Sequence, residues 1–367
     1  MAAFLVGFLL FYLYLVVIPI GISPFETPKV ILAEILIDIL LLVTILRINK
    51  LKIKQLIDSQ LIFIGILFLL SLDTQLLFQP PQAFFGNIFR LQGQFLFWHL
   101  LIFSLLSKHI QLNKLPSFIF YLSFLCLPLV TLILGVNQNN RAFGSLGEPN
   151  ALASTALFLF PFIWFKSPSK FKLFPLILTL IVIVLSGSRA GLIGLGIEVL
   201  FILALVRISI FKAVLTSLIL ILLTLFLPFI DYQGWFENRA EIWHTSYTAG
   251  LQSPVIGHGF GNIQNIIHQT ATKLDNNTKL QVVDSSHNFL LDYWIQGGLV
   301  GLVCILMLIG LSIQGLIRSR KTLELTAFLG VITAMLFNPV SVVTLVAFWW
   351  LIGRGSSLNS REGFQPD

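Results

Sequence analysis

Charge is scarce in this sequence. Asp, Glu, Lys and Arg make up 11% of its 367 residues, 56% are hydrophobic, and the mean hydropathy is +0.92. A soluble domain carries roughly 25% charged residues, so a water-soluble fold of this size would lack the polar groups to cover its surface. Cysteine is equally rare. Cys126 and Cys304 both lie inside apolar runs, with no metal-ligand spacing and no disulfide framework. Long polar stretches are missing as well: the one extended gap between apolar runs is 231–285, which leaves no room for a separate soluble domain. The first twenty residues lack a basic n-region and a small-residue cleavage site, so they read as a retained span. The formal charge of +7 comes from short Lys/Arg clusters between apolar runs. That is the pattern of topogenic signals and excludes a continuous basic face for nucleic acid.

What is present is a succession of apolar runs near the ~20 residues needed to cross a bilayer as helix. They predict an all-α polytopic membrane bundle of about twelve spans in one domain covering residues 1–367. The spans fall at 3–22, 29–46, 56–72, 90–107, 115–135, 150–165, 171–187, 190–206, 210–230, 287–315, 323–337 and 340–353. The basic residues orient them. Sixteen of the 23 Lys and Arg fall in the even-to-odd connections and the tail, in clusters such as Arg47/Lys50/Lys52/Lys54, Lys166/Lys170/Lys172 and Arg318/Arg320/Lys321. Seven fall on the other side: Lys29, Arg90, Arg141, Arg189, Arg239, Lys273 and Lys279. Both termini are therefore expected in the cytoplasm. The long loop 231–285, with Trp235, Ile242 and Trp243 at helical spacing, is expected outside it as short amphipathic helices on the membrane.

Four polar motifs share the outer side: Arg141 to Asn150 (RAFGSLGEPN), Ser186 to Gly191 (SGSRAG), Asn238 to Trp243 (NRAEIW) and Ser285 to Leu291 (SSHNFLL). Three carry an arginine on a side poor in positive charge, which points to an anionic substrate, since guanidinium matches phosphate in a bidentate way. Arg189 stands between two apolar runs, where an ion needs a partner or a wet cavity. Gly187, Gly191, Gly194 and Gly196 allow close helix approach around it. The alternatives are snorkelling for Arg189 and a surface ion pair with Glu237 or Glu241 for Arg239. Arg141 precedes a Gly/Pro turn ending at Asn150, a capping residue for the sixth span. Ser285 or Ser286 is suited to cap the helix that follows, placing His287 in its first turn. The helix dipole there lowers the imidazole pKa and leaves a neutral base able to take a proton from a hydroxyl. His244, His258 and His268 share the loop, but no HxxxH or HxH spacing supports zinc, and no DxD cluster is present.

In this order the motifs resemble the O-antigen ligase and O-antigen polymerase superfamily of bacterial inner membranes. The ligase signature reads here as His287, Asn288, nine residues, Gly298, two residues and Gly301. SGSRAGLIGL, SPVIGHGFGNI and GEPNALA look like the family's pattern too, and the resemblance runs from about 140 to 305. It implies a membrane-helical fold of the glycosyltransferase C type and a metal-independent enzyme without cofactor. Such an enzyme passes a glycan from undecaprenyl diphosphate to an acceptor hydroxyl on the extracytoplasmic face. By similarity His287 is the base or positions the acceptor, Arg189 and Arg239 hold the diphosphate, and Arg141, Asn150 and Asn288 are secondary candidates. Ligation to lipid A core is favoured over chain polymerisation or protein O-glycosylation because the histidine signature is complete. Asp292 has no role in this reading, and a loop of 55 residues is modest for acceptor binding.

The rival from another class is a proton-coupled transporter or lipid flippase using Glu34 and Asp38, an i, i+4 acidic pair within the second span. Pairing with a neighbouring helix is the plainer reading of those two acids. A transporter is also expected to show helices broken at mid-membrane, whereas the sequence breaks cluster at helix ends.

Overall fold

The computed structural model describes residues 1–19, 22–46, 59–72, 81–108, 110, 112, 115–134, 140–205, 239–274 and 283–356. Among these the chain is helical, with no strand. The helices are α1 Ala2–Phe11, α2 Thr27–Ile45, α3 Ser59–Ser71, α4 Pro81–Phe85, α5 Gln94–Ser107, α6 Ser117–Leu134 and α7 Pro149–Lys166. They continue as α8 Leu173–Ser186, α9 Arg189–Leu205, α10 Arg239–Leu251, α11 Ile263–Lys273, α12 Phe289–Arg318, α13 Thr322–Met335 and α14 Val342–Arg354.

The apolar runs become helices almost where their composition places them. The expected span 210–230 lies outside the described residues; each of the others lands on a helix. The first is shorter than its hydropathy suggests. α1 stops at Phe11, a 3-10 turn follows at Leu13–Leu15, and Val16 is extended. The β-branched run before Pro19 favours that geometry over helix. Two helices, Ser117–Leu134 and Phe289–Arg318, are long and apolar enough by length and composition to cross a membrane, and shorter apolar helices accompany them.

The outward faces are as apolar as the inward ones. On α6, Leu129, Leu132 and Ile133 are 57%, 70% and 78% exposed, and α2 and α8 present Ile35 and Ile177 in the same way. Water would penalise such a surface, and hydrocarbon would not. Inside, Phe11, Phe120, Phe158, Phe162 and Trp350 interlock with ring centroids 4.8–6.2 Å apart. A second aromatic group joins Phe97, Phe260, Tyr293 and Trp349.

The described part of the loop 231–285 forms two helices, α10 and α11, as its pattern suggested. With Val283 and Ile295 they bury a small core of their own. Residues 231–238 and 275–282 of that loop, including Trp235, Glu237 and Asn238, lie outside the described residues.

One connection fixes the geometry of this half. α12 is broken at Gly298, whose φ of 57° and ψ of −153° are not helical. The loop 254–259 lies against the break. His258 N donates to Ile295 O at 2.9 Å and Gly259 N to Gln296 O at 3.0 Å; Leu299 N donates to Pro254 O at 2.8 Å and Val300 N to Val255 O at 3.1 Å. The two glycine-rich motifs, SPVIGHGFGNI and the Gly297–Gly301 segment, are thus one structural element. The expectation that breaks cluster at helix ends fails here, but for a reason unlike a transporter's. The backbone groups exposed by the break are taken up by the loop and are not left to hold an ion.

Candidate functional site

Six helices, α2, α5, α7, α9, α12 and α14, bring their amino ends to the same end of the bundle. The contacts that tie them are polar. Glu26, the residue before α2, accepts a hydrogen bond from Val342 N of α14 at 3.1 Å. Arg90, just before α5, pairs with Glu148 before α7 at 3.4 Å and with Asp284 before α12. Arg141 donates through Nε to Ser186 O at 2.8 Å, beside the start of α9. Each amino end carries the positive pole of a helix dipole, so this end of the molecule is biased towards anions.

His287 lies at this same end, 6% exposed and near enough to Glu148 and Asp292 for its charge to act on both. It does not stand in the first turn of α12. The N-cap is Asn288, whose Oδ1 accepts from Leu290 N and Leu291 N at 3.0 and 3.3 Å. The serines serve elsewhere: Ser286 Oγ lies 2.6 Å from both Asp292 Oδ1 and Asn288 O, and Ser286 N donates to Asp292 Oδ1 at 2.8 Å. Asp292 is what prevents a serine cap, because it reaches back one turn and claims Ser286 for itself. That also answers what Asp292 does: it pins the segment that carries His287. The histidine is left just outside the helix with a φ of 55°, a left-handed conformation that few non-glycine residues adopt, Asn, Asp and His most readily.

The other histidines of the loop separate cleanly from it. His244 and His268 are exposed, and His258 has its Nε2 2.9 Å from Ala249 O, inside the packing of α10.

Arg141 and Asn150 are brought together with each other: Arg141 Nη2 donates to Asn150 Oδ1 at 3.0 Å. The pair closes the Gly/Pro turn and ties it to the end of α8. Arg189 and Arg239 are the first residues of α9 and α10, and both are exposed. Trp243, one turn after Arg239, lies beside Phe337 with ring centroids 6.5 Å apart, which carries the head of α10 to the connection between α13 and α14.

Three participants were not singled out from the sequence. Arg90 bridges Glu148 and Asp284, and its Nη1 lies 3.5 Å from Val340 O. Gln92 Nε2 donates to the same carbonyl at 2.8 Å. Asn338, 2% exposed, has neither amide atom hydrogen-bonded among the described residues. Nothing local marks Arg90; the only signal was its place among the few basic residues assigned to the outer side. Burial pushes the Glu148 carboxyl above its ordinary range, and Arg90, His287 and Arg141 pull it back in part. Glu26 is raised by burial in the same way.

Beside this network a cavity of about 130 Å³ opens between α5, α12 and α14. Arg90, Asp284 and Ser285 stand at its polar side, and Leu96, Phe97 and Trp349 at its apolar side. Phe260, delivered by the loop that fills the break in α12, stacks on Phe97 at 4.3 Å. An amphipathic cavity at a charged rim suits a ligand with a polar head and an apolar body.

Glu34 and Asp38 lie elsewhere, on α2. Asp38 pairs with His99 Nε2 of α5 at 3.3 Å, and His99 Nδ1 lies 2.8 Å from Phe95 O. For Asp38 this is the helix-to-helix pairing that the plainer reading expects.

Among the described residues, a helical bundle with apolar outer faces and a polar end has the make-up of a membrane protein. Residues 174–306 match the O-antigen ligase family, a match that supports membership of the O-antigen ligase and polymerase superfamily. No curated protein matches it. The match begins in α8 and ends inside α12. It takes in Arg189, Arg239, His287 and the whole loop-and-break element, while Arg90, Arg141, Glu148 and Asn150 precede it. Proteins of this family are membrane proteins, which the helices fit. The family carries ligase- or polymerase-type glycan transfer, with lipid-linked glycan donors and glycan acceptors.

Proposed function

We propose that this protein is a bacterial inner-membrane glycosyltransferase that moves a glycan from undecaprenyl diphosphate to an acceptor hydroxyl on the extracytoplasmic face. Ligation to lipid A core is the favoured reaction. The proposal includes a glycosyltransferase C-type bundle of twelve spans with both termini in the cytoplasm. The observation that carries it is the buried His287, held by Asn288, Ser286 and Asp292 at the end where six helix amino termini gather.

The chemistry needs little else. The acceptor oxygen attacks the anomeric carbon of the donor sugar as the bond from that carbon to the diphosphate oxygen breaks. The hydroxyl proton passes to the His287 imidazole, and the diphosphate leaves as an anion. His287 is buried just before the amino end of α12, and its imidazole nitrogen is the group assigned to take up that proton. Diphosphate is already a good leaving group, so the main demands are alignment and charge stabilisation. Arg189 and Arg239, with the helix termini around them, supply the positive charge without a divalent ion. The Arg90–Glu148–Asp284 bridge holds the segments on either side of His287 in register.

The test is reconstitution with undecaprenyl-diphosphate glycan and three acceptors: lipid A core, a second lipid-linked glycan and a protein. Transfer to lipid A core, lost in His287→Ala and Arg189→Ala variants that still insert normally, is the expected result. Full activity in both variants overturns the assignment of the site. Transfer only to the second glycan or to the protein replaces ligation by polymerisation or protein O-glycosylation. Activity abolished by a chelator and restored by a divalent cation overturns the metal-free mechanism.

A further inference from the structure

The opposite end of the same helices holds a second cavity, of about 310 Å³. It opens where α7 and α14 finish and α13 begins. Its wall is aromatic: Phe120 and Phe162 stack with centroids 6.0 Å apart, and Phe162 meets Trp350 at 6.0 Å. Its rim is cationic. Lys166 Nζ stands 4.3 Å from the centre of the Phe120 ring, and the Arg354 guanidinium 5.9 Å from that of Trp350.

Arg354 is only partly satisfied by the protein. Its Nη2 pairs with Glu324 at 3.3 Å and its Nη1 donates to Ile110 O at 3.1 Å. Its Nε is buried with no hydrogen-bond partner among the described residues, a costly state for a guanidinium donor. Lys321 Nζ donates to the Arg354 carbonyl at 2.9 Å, so Lys321 and Arg354 both stand by the one carboxylate, Glu324, and Lys166 lines the same cavity. Burial, reinforced by Arg354, pushes Lys321 down to about 8, in keeping with an excess of positive charge. The first turn of α13, with Leu323 and Glu324 on the cavity, adds the positive end of a helix dipole.

We infer that this cavity binds a phosphate-bearing anion, with Lys166 and Arg354 on the phosphate and Phe120, Phe162 and Trp350 against its apolar body. Guanidinium and ammonium over aromatic faces suit such a ligand, because the rings pack the apolar part while the cations meet the charge. The phosphate belongs either to a phospholipid headgroup at the membrane surface or to a soluble phosphate compound. The site is separate from the glycan-transfer site and does not depend on that reading.

The experiment uses the full chain in phosphatidylcholine nanodiscs, with and without phosphatidylglycerol, analysed by native mass spectrometry for retained lipid. A parallel titration follows inorganic phosphate. Preferential retention of phosphatidylglycerol is expected from a headgroup site. Binding of inorganic phosphate, or its displacement of phosphatidylglycerol, identifies a soluble anion as a ligand. In either case Lys166→Gln weakens binding about fivefold, the value of one cation near an anionic headgroup, and Lys166→Arg retains it. Arg354→Lys, which keeps the charge and removes Nε, also weakens it. No preference for either anion over phosphatidylcholine overturns the inference. So does undiminished binding in Lys166→Gln and Arg354→Lys proteins that elute and melt like the parent.

Discussion

Replacing Gly298 by alanine tests how the break in α12 is held. Two effects add. The first is local: φ 57° with ψ −153° is a region almost reserved for glycine, and an L-residue there costs about 1–3 kcal/mol. The second is the approach of the loop. A Cβ on Gly298 would meet the backbone of Val255 and Gly257, which has no flexible end to move aside. The loop must therefore lift. Four backbone hydrogen bonds link 254–259 to 295–300, each worth about 1 kcal/mol net. If half survive, the total is roughly 3–5 kcal/mol. At ~2 °C per kcal/mol for a chain of this size, Gly298→Ala lowers Tm by roughly 6–10 °C. Gly310 on the same helix is the control, since nothing lies within 4 Å of a Cβ built there. Gly310→Ala should raise stability by up to ~1 kcal/mol through helix propensity. Thermal unfolding of both variants in detergent, followed by intrinsic fluorescence, separates them. A Gly298→Ala protein as stable as the parent, or a Gly310→Ala protein equally damaged, refutes the reasoning.

Three further outcomes are expected. Arg90→Gln leaves Glu148 and Asp284 facing each other without their shared cation; with side chains 18–24% exposed, the cost is about 2–4 kcal/mol, below that of a fully buried pair. Arg90→Lys recovers only part of this because it cannot bridge both acids, and adding Asp284→Asn to Arg90→Gln should restore some of the lost Tm. The pH dependence of stability should carry the mark of Glu148. Its folded pKa stands above the ordinary 4.5, so the folded state binds the proton more tightly than the unfolded chain. That contribution is complete below pH 4.5 and is lost as pH rises through the folded value; Tm measured across this range should fall less in Glu148→Gln. Finally, Asn288→Ala removes two cap hydrogen bonds and costs ~1 kcal/mol, while Asn288→Ser retains most of it; equal Tm for the two variants in a melt counts against Asn288 as the cap.

Much of the fold was legible because its causes are local. A run of apolar residues is helical in a membrane wherever it sits in the chain, so the starts of α2, α7 and α9 fall close to their expected positions. His287 and Asn288 could be singled out because a histidine between a polar turn and an apolar run stands out without knowledge of its neighbours. The cap could not be assigned so easily. Ser285, Ser286 and Asn288 are all capable caps by residue type, and the choice among them rests on Asp292 occupying Ser286.

By itself the sequence determined the apolar, helical character of the chain, the approximate positions of most described helices and the polar residues available to a site. It did so because hydropathy and local propensity act over single segments. Only the tertiary structure decided which polar residues meet. Arg90 and Asp284 are 194 positions apart, a separation that no periodicity or motif spans. The joining of the 254–261 loop to the broken α12 depends on backbone groups, whose pairing leaves little trace in side-chain composition beyond a few glycines. The cavity at the far end arises in the same way, from Lys166, Glu324 and Arg354 at the ends of three different helices.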